Sequence, residues 1–193
     1  IFAGAFLLFL VQPLLARFIL PWFGGSPSVW TACMLFFQVF LLMGYAYAHA
    51  STRWLRPRQQ AGLHLVLVAV ALCFIPIIPG PQWKPTADAA PVGRILLLLT
   101  ATIGLPYMVL AATSPLLQSW FFRVHPGKSP YRLYAVSNVG SLLALVSYPF
   151  VFEPLITRRI QAYAWSGGLV WVSLFLSLGY FLGERWREIA ELV

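Results

Sequence analysis

Charged residues are scarce in this sequence. They make up only 9% of the 193 residues, whereas 60% of the residues are hydrophobic. A water-soluble domain carries about 25% charged residues, because its surface must meet water. The composition therefore excludes an ordinary soluble domain. It predicts an outer surface that meets lipid, where apolar side chains carry no penalty.

Cysteines and catalytic motifs are equally sparse. The two cysteines, Cys33 and Cys73, both lie inside apolar runs, so we interpret them as small buried hydrophobes and not as a disulfide or metal pair. The zinc-protease, phosphate-loop and nucleophile-elbow patterns are all missing. We therefore predict a chain without catalytic activity of its own and without a cofactor.

The formal net charge of +8 does not indicate nucleic-acid binding. The basic residues do not form one patch with interleaved aromatics. They lie mostly in short segments between apolar runs, where the positive-inside rule of membrane proteins predicts them. The expected surroundings are the lipid bilayer and other membrane subunits or a fused soluble domain.

Six apolar runs are long enough to cross the hydrocarbon core, which requires about 20 residues of helix. In lipid each backbone polar group must be satisfied within its own segment, so the runs are predicted to be helices. Pro21 with Gly24-Gly25, and Pro79-Gly80-Pro81, supply end signals. The predicted helices are Phe2–Leu20, Ser28–Ala50, Gly62–Ile78, Val92–Phe122, Tyr131–Phe152 and Ile160–Leu182.

The distribution of Lys and Arg predicts the orientation. With both termini in the cytoplasm, eight of the 13 basic residues fall inside and five outside, which favours that topology. The inner residues would be Arg53, Arg56, Arg58, Arg123, Lys128, Arg132, Arg185 and Arg187. A bacterial inner membrane is the expected location. Residues 1–183 would form the transmembrane domain, and residues 184–193 a cytoplasmic helical extension leading to further sequence.

A short internal repeat suggests the architecture. Gln12-Pro13-Leu14-Leu15 is similar to Ser114-Pro115-Leu116-Leu117, and Ser26-Pro27 matches Ser129-Pro130. The offset spans three helices, so the second copy would be inverted relative to the first. The predicted fold is an all-α integral membrane domain of two inverted three-helix repeats, equivalent to half of a major-facilitator-like fold.

Polar residues within the spans mark candidate sites, because they are costly in a membrane. On the second predicted helix Thr31, Gln38, Tyr45 and His49 share one face. We predict a ligand cavity between the first, second, fourth and fifth helices. Helix packing without a ligand is the alternative reading of the same residues. The candidates are Gln12, Gln38, Tyr45, Tyr107, Asn138 and Tyr148.

Asn138 carries a specific expectation. A lipid-exposed amide would be unpaired, so Asn138 should face the bundle and hydrogen-bond to the first helix near Gln12.

Two further pairs of residues are candidates. Arg17 and Glu153 are set into helix ends on the same side and could form a charge pair, or each could extend separately to the interface. His49 and His64 flank the predicted inner loop. Together they could ligate a haem, or one of them a chlorin magnesium; lone interfacial histidines are the alternative.

The segment from Arg132 to Leu143, with the sequence RLYAVSNVGSLL, followed by Glu153-Pro154-Leu155, resembles the membrane-bound spermidine-synthase-like family. The stretches Phe9–Arg17 and Gly44–His49 also resemble that family's first two helices. The resemblance implies a major-facilitator-like membrane domain fused to a synthase domain. The motifs of the enzyme half do not lie in these residues, so only the membrane half carries over.

Two functions are therefore expected. The first is a non-catalytic membrane subunit or anchor that docks a soluble domain or a larger membrane complex. The second is a transport-type module that binds a small polar or cationic molecule in the cavity.

Overall fold

A computed structural model describes residues 1–85, 91–124 and 131–190, and every regular element in these ranges is helical. The helices are α1 (Phe2–Phe23), α2 (Pro27–Trp54), α3 (Pro57–Leu72), α4 (Pro91–Leu99), α5 (Leu105–Val124), α6 (Tyr131–Ser147), α7 (Glu153–Leu155) and α8 (Arg158–Ala190). A short 3₁₀ turn covers Pro81–Trp83.

Prolines mark several boundaries. α2, α3 and α4 each begin with a proline, which suits the first helical position because its missing N–H would have no partner there. α1 ends at Gly24, whose φ of 82° is a conformation that favours glycine.

Two π-helical turns join helices into longer rods. Thr100–Gly104 connects α4 to α5, just before Pro106, and Tyr148–Phe152, which contains Pro149, connects α6 to α7. A proline removes one helical hydrogen bond, and a local change of helix type accommodates the loss.

Within the described ranges, five helical segments are long and apolar enough to cross a membrane, which fits a multi-pass membrane protein. They are Phe2–Phe23, Pro27–Trp54, Pro91–Arg123, Tyr131–Leu155 and Arg158–Gly179. The tail prediction falls partly outside the described residues, but α8 continues as one helix to Ala190.

The predicted third span, Gly62–Ile78, is wrong over its last six residues. α3 begins earlier, at Pro57, and ends at Leu72 after 16 residues, about 24 Å of helix. The chain then leaves the helix towards Pro76 and Pro79, although Ile77 stays fully buried. The apolar run is real, but only part of it is helical.

α3 has one buried face and one exposed face. Gln60 and His64 on α3 are fully buried, whereas Leu63, Val66 and Val70 are exposed. One face of α3 therefore packs on the protein.

The helices pack in two layers. α1 contacts α6 most extensively and α5 contacts α2 most extensively, while α1 and α5 touch each other. This places the four helices in the order α2, α5, α1, α6. Behind them, α3 packs on α5, α8 packs on α1, and α3 touches α8. α1 supplies much of the core, with Val11, Leu14, Leu15 and Ile19 fully buried.

Two glycines allow close helix contacts. A Cβ at Gly44 of α2 would lie 2.7 Å from the carbonyl oxygen of Met108 and from the Cβ of Ala111 on α5. A Cβ at Gly140 of α6 would lie 2.7 Å from the Phe2 carbonyl oxygen on α1. Small residues at such crossings let the helix backbones approach, as is common in membrane helix pairs.

We predict that Gly44→Ala lowers the thermal stability of the chain in detergent, by about 1–3 kcal/mol, because the added methyl overpacks the crossing. Gly62→Ala is the matched control, since a Cβ at this helical glycine meets nothing within 4 Å. It should leave the melting temperature unchanged or raise it slightly. If Gly44→Ala melts at or above Gly62→Ala, α2 does not pack on α5 this closely.

Candidate functional site

Gln12 and Tyr107 form a polar contact in the middle of the bundle. The Gln12 amide donates a 3.2 Å hydrogen bond from Nε2 to the Tyr107 hydroxyl oxygen, joining α1 to α5. Tyr107 is fully buried, and its ring lies 5.1 Å from that of Phe37 on α2. Two of the predicted cavity residues, 95 positions apart in sequence, are thus brought together.

Two further tyrosines lie near this contact. Tyr45 of α2 is close enough to interact electrostatically with both Tyr107 and Tyr134 of α6. Tyr45 and Tyr134 are each about half exposed. Gln12, Tyr45, Tyr107 and Tyr134 therefore form a cluster, which we call the tyrosine cluster, contributed by α1, α2, α5 and α6. Tyr134 was not among the predicted site residues, although it lies one helical turn before Asn138 on α6.

The other three predicted cavity residues do not join the Gln12–Tyr107 contact. Gln38 and Asn138 are exposed on α2 and α6. Tyr148 is buried, and it lies close enough to Arg17 and Glu153 to interact with them electrostatically. The expectation that Asn138 faces the bundle and bonds near Gln12 is wrong, because Asn138 is exposed and, within the described residues, Gln12 bonds to Tyr107 instead. The spacing placed Asn138 on a polar face correctly but gave no information on which way that face points.

Arg17 and Glu153 lie close together at the membrane end opposite the α2–α3 turn. The contact between them runs through the main-chain carbonyl of Glu153. The Arg17 guanidinium donates from Nη1 to the carbonyl oxygens of Glu153, at 3.1 Å, and Ile156, at 3.5 Å. These carbonyls are at the end of α7, where the backbone has no N–H donor from a following helical turn. Arg158 in turn donates to the Arg17 carbonyl at 3.2 Å, which Pro21 leaves without its helical donor.

The two histidines have different surroundings. His49 is exposed. His64 is 1% exposed, and its Nε2 lies 3.1 Å from the Thr113 hydroxyl oxygen on α5. Thr113 donates its only proton to the Val109 carbonyl at 2.8 Å, so in this contact His64 Nε2 carries the hydrogen and donates it. His64 Nδ1 is buried and has no hydrogen-bond partner among the described residues.

His64 Nε2 therefore lies against Thr113 on α5, whereas His49 is at the surface. Among the described residues there is also no group of three or more His, Cys, Asp or Glu side chains that could hold a metal ion.

α3 is tied to α5 by a second polar contact. Trp120 Nε1 donates to Gln60 Oε1 at 2.9 Å, and Gln60 Nε2 donates to the Leu55 carbonyl at 2.7 Å. Next to this contact, α1, α3, α5 and α8 enclose a cavity of about 850 Å³. The sequence did not reveal it, because its walls come from four separate helices. One signal in the sequence was that Arg58 and Arg123 both flank apolar runs at the same predicted membrane face, which places them at the same end of the bundle.

Comparison with known proteins gave no match to a family model, a curated protein or a solved structure.

We predict that Gln12→Leu destabilises the chain by about 1–3 kcal/mol, because it leaves the buried Tyr107 hydroxyl unpaired. Tyr107→Phe should also destabilise it. The double substitution should cost less than the sum of the two, since neither group is then left without a partner. Thermal unfolding in detergent measures all three, with Gln38→Leu as a control on an exposed glutamine. Strict additivity would mean that the Gln12–Tyr107 bond contributes nothing.

Proposed function

We propose that the chain is a non-catalytic membrane subunit or anchor that docks against another membrane-embedded protein element. The surface that docks is the α2/α6 face, defined by the exposed residues Gln38, Tyr45, Tyr134 and Asn138. The observation that carries the proposal is the exposure of two amides, Gln38 and Asn138, within helices apolar enough to span a membrane.

An amide facing hydrocarbon loses its hydrogen bonds to water and gains none from lipid. Each such unsatisfied group costs about 1–3 kcal/mol. The amides elsewhere in the bundle avoid this penalty: Gln12 bonds to Tyr107, Gln60 bonds to Trp120, and Gln161 donates to the carbonyls of Phe152 and Ile156. Gln38 and Asn138 would avoid it too if a protein surface covered the α2/α6 face.

The surrounding side chains fit a helix interface. Large apolar residues next to the amides are exposed, including Met34, Leu42, Leu142 and Val146. Interfaces between membrane helices combine van der Waals packing with occasional polar contacts, each worth about 0.6–2 kcal/mol. The amides would set the register and the apolar residues would supply most of the contact area.

The packing order supports a half-fold arrangement. α1 packs against α6 and α8, and α5 packs in the same way against α2 and α3. Exchanging the first predicted repeat for the second therefore reproduces the main helix contacts. Pro13 and Pro115, the prolines of the sequence repeat, both lie inside the central helices α1 and α5. In a half of a major-facilitator-like fold, the α2/α6 face is the side on which a second half would pack.

The resemblance to membrane-bound spermidine-synthase-like proteins adds a second docking role. A fused or separate soluble domain would attach at the cytoplasmic end, beyond α8, in a bacterial inner membrane with both termini inside. The proposal assigns no catalytic step to the described residues.

A transport-type module is the alternative, and the tyrosine cluster favours it. The cluster combines three phenol groups and one amide, and none of its four side chains is charged. Such a set could bind a polar molecule by hydrogen bonds or a cation over the aromatic faces. Polyamine binding to the purified chain that Tyr107→Phe abolishes would favour this alternative over docking.

We predict that a photo-crosslinking amino acid at position 38 or 138 of the intact protein, in native membranes, forms adducts with protein. Mass spectrometry would map the adducts to one contiguous surface, whether on a second copy, another subunit or a further segment of the same chain. Position 66 on the exposed side of α3 is the control and should give lipid adducts. Lipid adducts alone at 38 and 138 would rule out the proposed docking face.

A further inference from the structure

The cavity of about 850 Å³ between α1, α3, α5 and α8, here called the α1/α3/α5/α8 cavity, lies between the two layers of the bundle. Its volume is within the range of small-molecule sites, about 300–1,000 Å³. Trp171 and Phe175 on α8 are more than half exposed, which leaves the side towards the bilayer open. Its apolar walls include Ala61, Leu117, Val172, Phe175 and Leu176.

Most polar side chains in the walls of this cavity already have partners. Thr113 and Trp120 on α5 are hydrogen-bonded to α3. At the membrane end where α2 turns into α3, Arg123 donates to the Thr52 carbonyl, and Arg58 has an interaction partner as well. The two arginines therefore do not decide what the cavity holds.

Ser114 differs from these residues because its hydroxyl proton is unused. Its Oγ accepts a 3.3 Å hydrogen bond from Gln118 Nε2, but within the described residues the Ser114 hydroxyl donates none. Ser166, Ser173 and Ser177 on α8 each donate to a carbonyl one turn earlier. Ser114 lies ten residues before the end of α5, about 15 Å along the helix. A donor at that depth in a spanning segment finds no acceptor in hydrocarbon.

Trp171 supplies a second unused donor to the same cavity. Its ring lies 4.5 Å from that of Phe175, but its Nε1–H forms no hydrogen bond within the described residues. Trp165, by contrast, donates to the Leu7 carbonyl. Trp171 lies 13 residues after the start of α8 at Arg158, about 20 Å into a spanning segment. That is deeper than the interface, where tryptophan normally meets water.

The two unused donors lie on opposite walls of the cavity. α1 and α3 each contact both α5 and α8, so α5 and α8 face each other across the space that the four helices enclose. Ser114 belongs to α5 and Trp171 to α8. A ligand that satisfies both donors must carry acceptors on two opposite edges and be apolar elsewhere.

We propose that the α1/α3/α5/α8 cavity binds the head of an isoprenoid quinone, with one ring carbonyl accepting from Ser114 and the other from Trp171. A para-quinone is planar and uncharged, and its two carbonyl oxygens lie on opposite edges of the ring. The rest of the ring is apolar and matches the aliphatic and aromatic walls. The isoprenoid tail leaves through the open side into the bilayer. Binding alone is proposed, without electron transfer.

Other lipid-soluble ligands use fewer features of the cavity. An acyl chain would fill the apolar volume but would give Ser114 and Trp171 no acceptor. A fatty acid would place a carboxylate at hydrocarbon depth, where a charge is costly. A long-chain alcohol or a sterol carries one oxygen and would satisfy one wall. Of these classes, the quinone alone places an acceptor at both walls.

The test compares two matched compounds on the intact protein in nanodiscs. The first is tritiated 2-methyl-3-decyl-1,4-naphthoquinone. The second is 2-methyl-3-decylnaphthalene, which has the same rings and tail but no carbonyl oxygens. Scintillation proximity measures binding of the quinone and its displacement by the naphthalene. We expect saturable quinone binding, and competition by the naphthalene roughly a hundredfold weaker than by unlabelled quinone, because two hydrogen bonds are missing.

Single substitutions test each hydrogen bond. Trp171→Phe keeps an aromatic ring but removes the N–H, and it should weaken quinone binding roughly tenfold. Ser114→Ala should have a similar effect, whereas Ser114→Thr keeps a hydroxyl and should retain binding. The matched controls are Trp30→Phe and Ser177→Ala, because neither residue lines the cavity. Both should bind the quinone like the wild type. Circular dichroism checks that each variant is folded.

Three results would overturn the proposal. The first is the absence of saturable quinone binding by the wild-type protein. The second is equal competition by the quinone and the naphthalene, which would make the cavity an unselective apolar space. The third is wild-type affinity in both Trp171→Phe and Ser114→Ala. None of these results bears on the α2/α6 face, so docking is tested separately.

Discussion

Hydrogen-bonding groups within a lipid bilayer need partners from the protein, because hydrocarbon supplies none. Much of this bundle follows from that constraint. Trp165 on α8 donates a hydrogen bond of 2.8 Å to the Leu7 carbonyl on α1. His64 and Gln60 attach α3 to α5 through hydrogen bonds to Thr113 and Trp120. At the other end, Arg17 and Arg158 satisfy carbonyls left free by a helix end and by Pro21. These polar contacts tie α3 to α5 and α8 to α1, and apolar side chains fill the space between the helices.

Because polar groups in a bilayer need protein partners, the polar side chains that face outwards from the bundle are informative. Gln38 and Asn138 are the amides within spanning helices that face outwards, and both lie on the flanking helices α2 and α6. On the opposite layer, Arg58 and Arg123 open onto an apolar cavity instead of projecting only into water. The described residues therefore present two unlike surfaces. One combines exposed amides with large exposed apolar side chains, and the other is a mainly apolar cavity with two arginines in its lining.

The spans could be predicted from the sequence, because apolar length and proline position are both local properties. α2 begins at Pro27, one residue before the predicted start, and α1 begins at the predicted Phe2. α3 was misplaced because an apolar run does not distinguish helix from buried irregular chain, and residues 73–78 are apolar without being helical. Pro76 and Pro79 within and after that run were the available warning.

The candidate site was predictable only in part. Helical spacing placed Gln12, Tyr45 and Tyr107 on polar faces, and three-dimensional packing then brought them together with Tyr134. Spacing could not say that the face bearing Asn138 points away from α1, because that depends on the rotation of α6 against its neighbour. The close approach of Gly140 to Phe2 fixes this rotation, and it is a contact between residues more than a hundred positions apart.

The account depends most on the claim that protein, and not lipid, covers Asn138. The direct measurement is the oxygen accessibility of a nitroxide spin label at position 138 of the intact protein in a bilayer, compared with a label at position 66. Both positions lie about two turns into helices that begin at the same membrane end, so their depths are comparable. The account predicts a much lower accessibility to oxygen at position 138. Equally high accessibility at the two positions would contradict it.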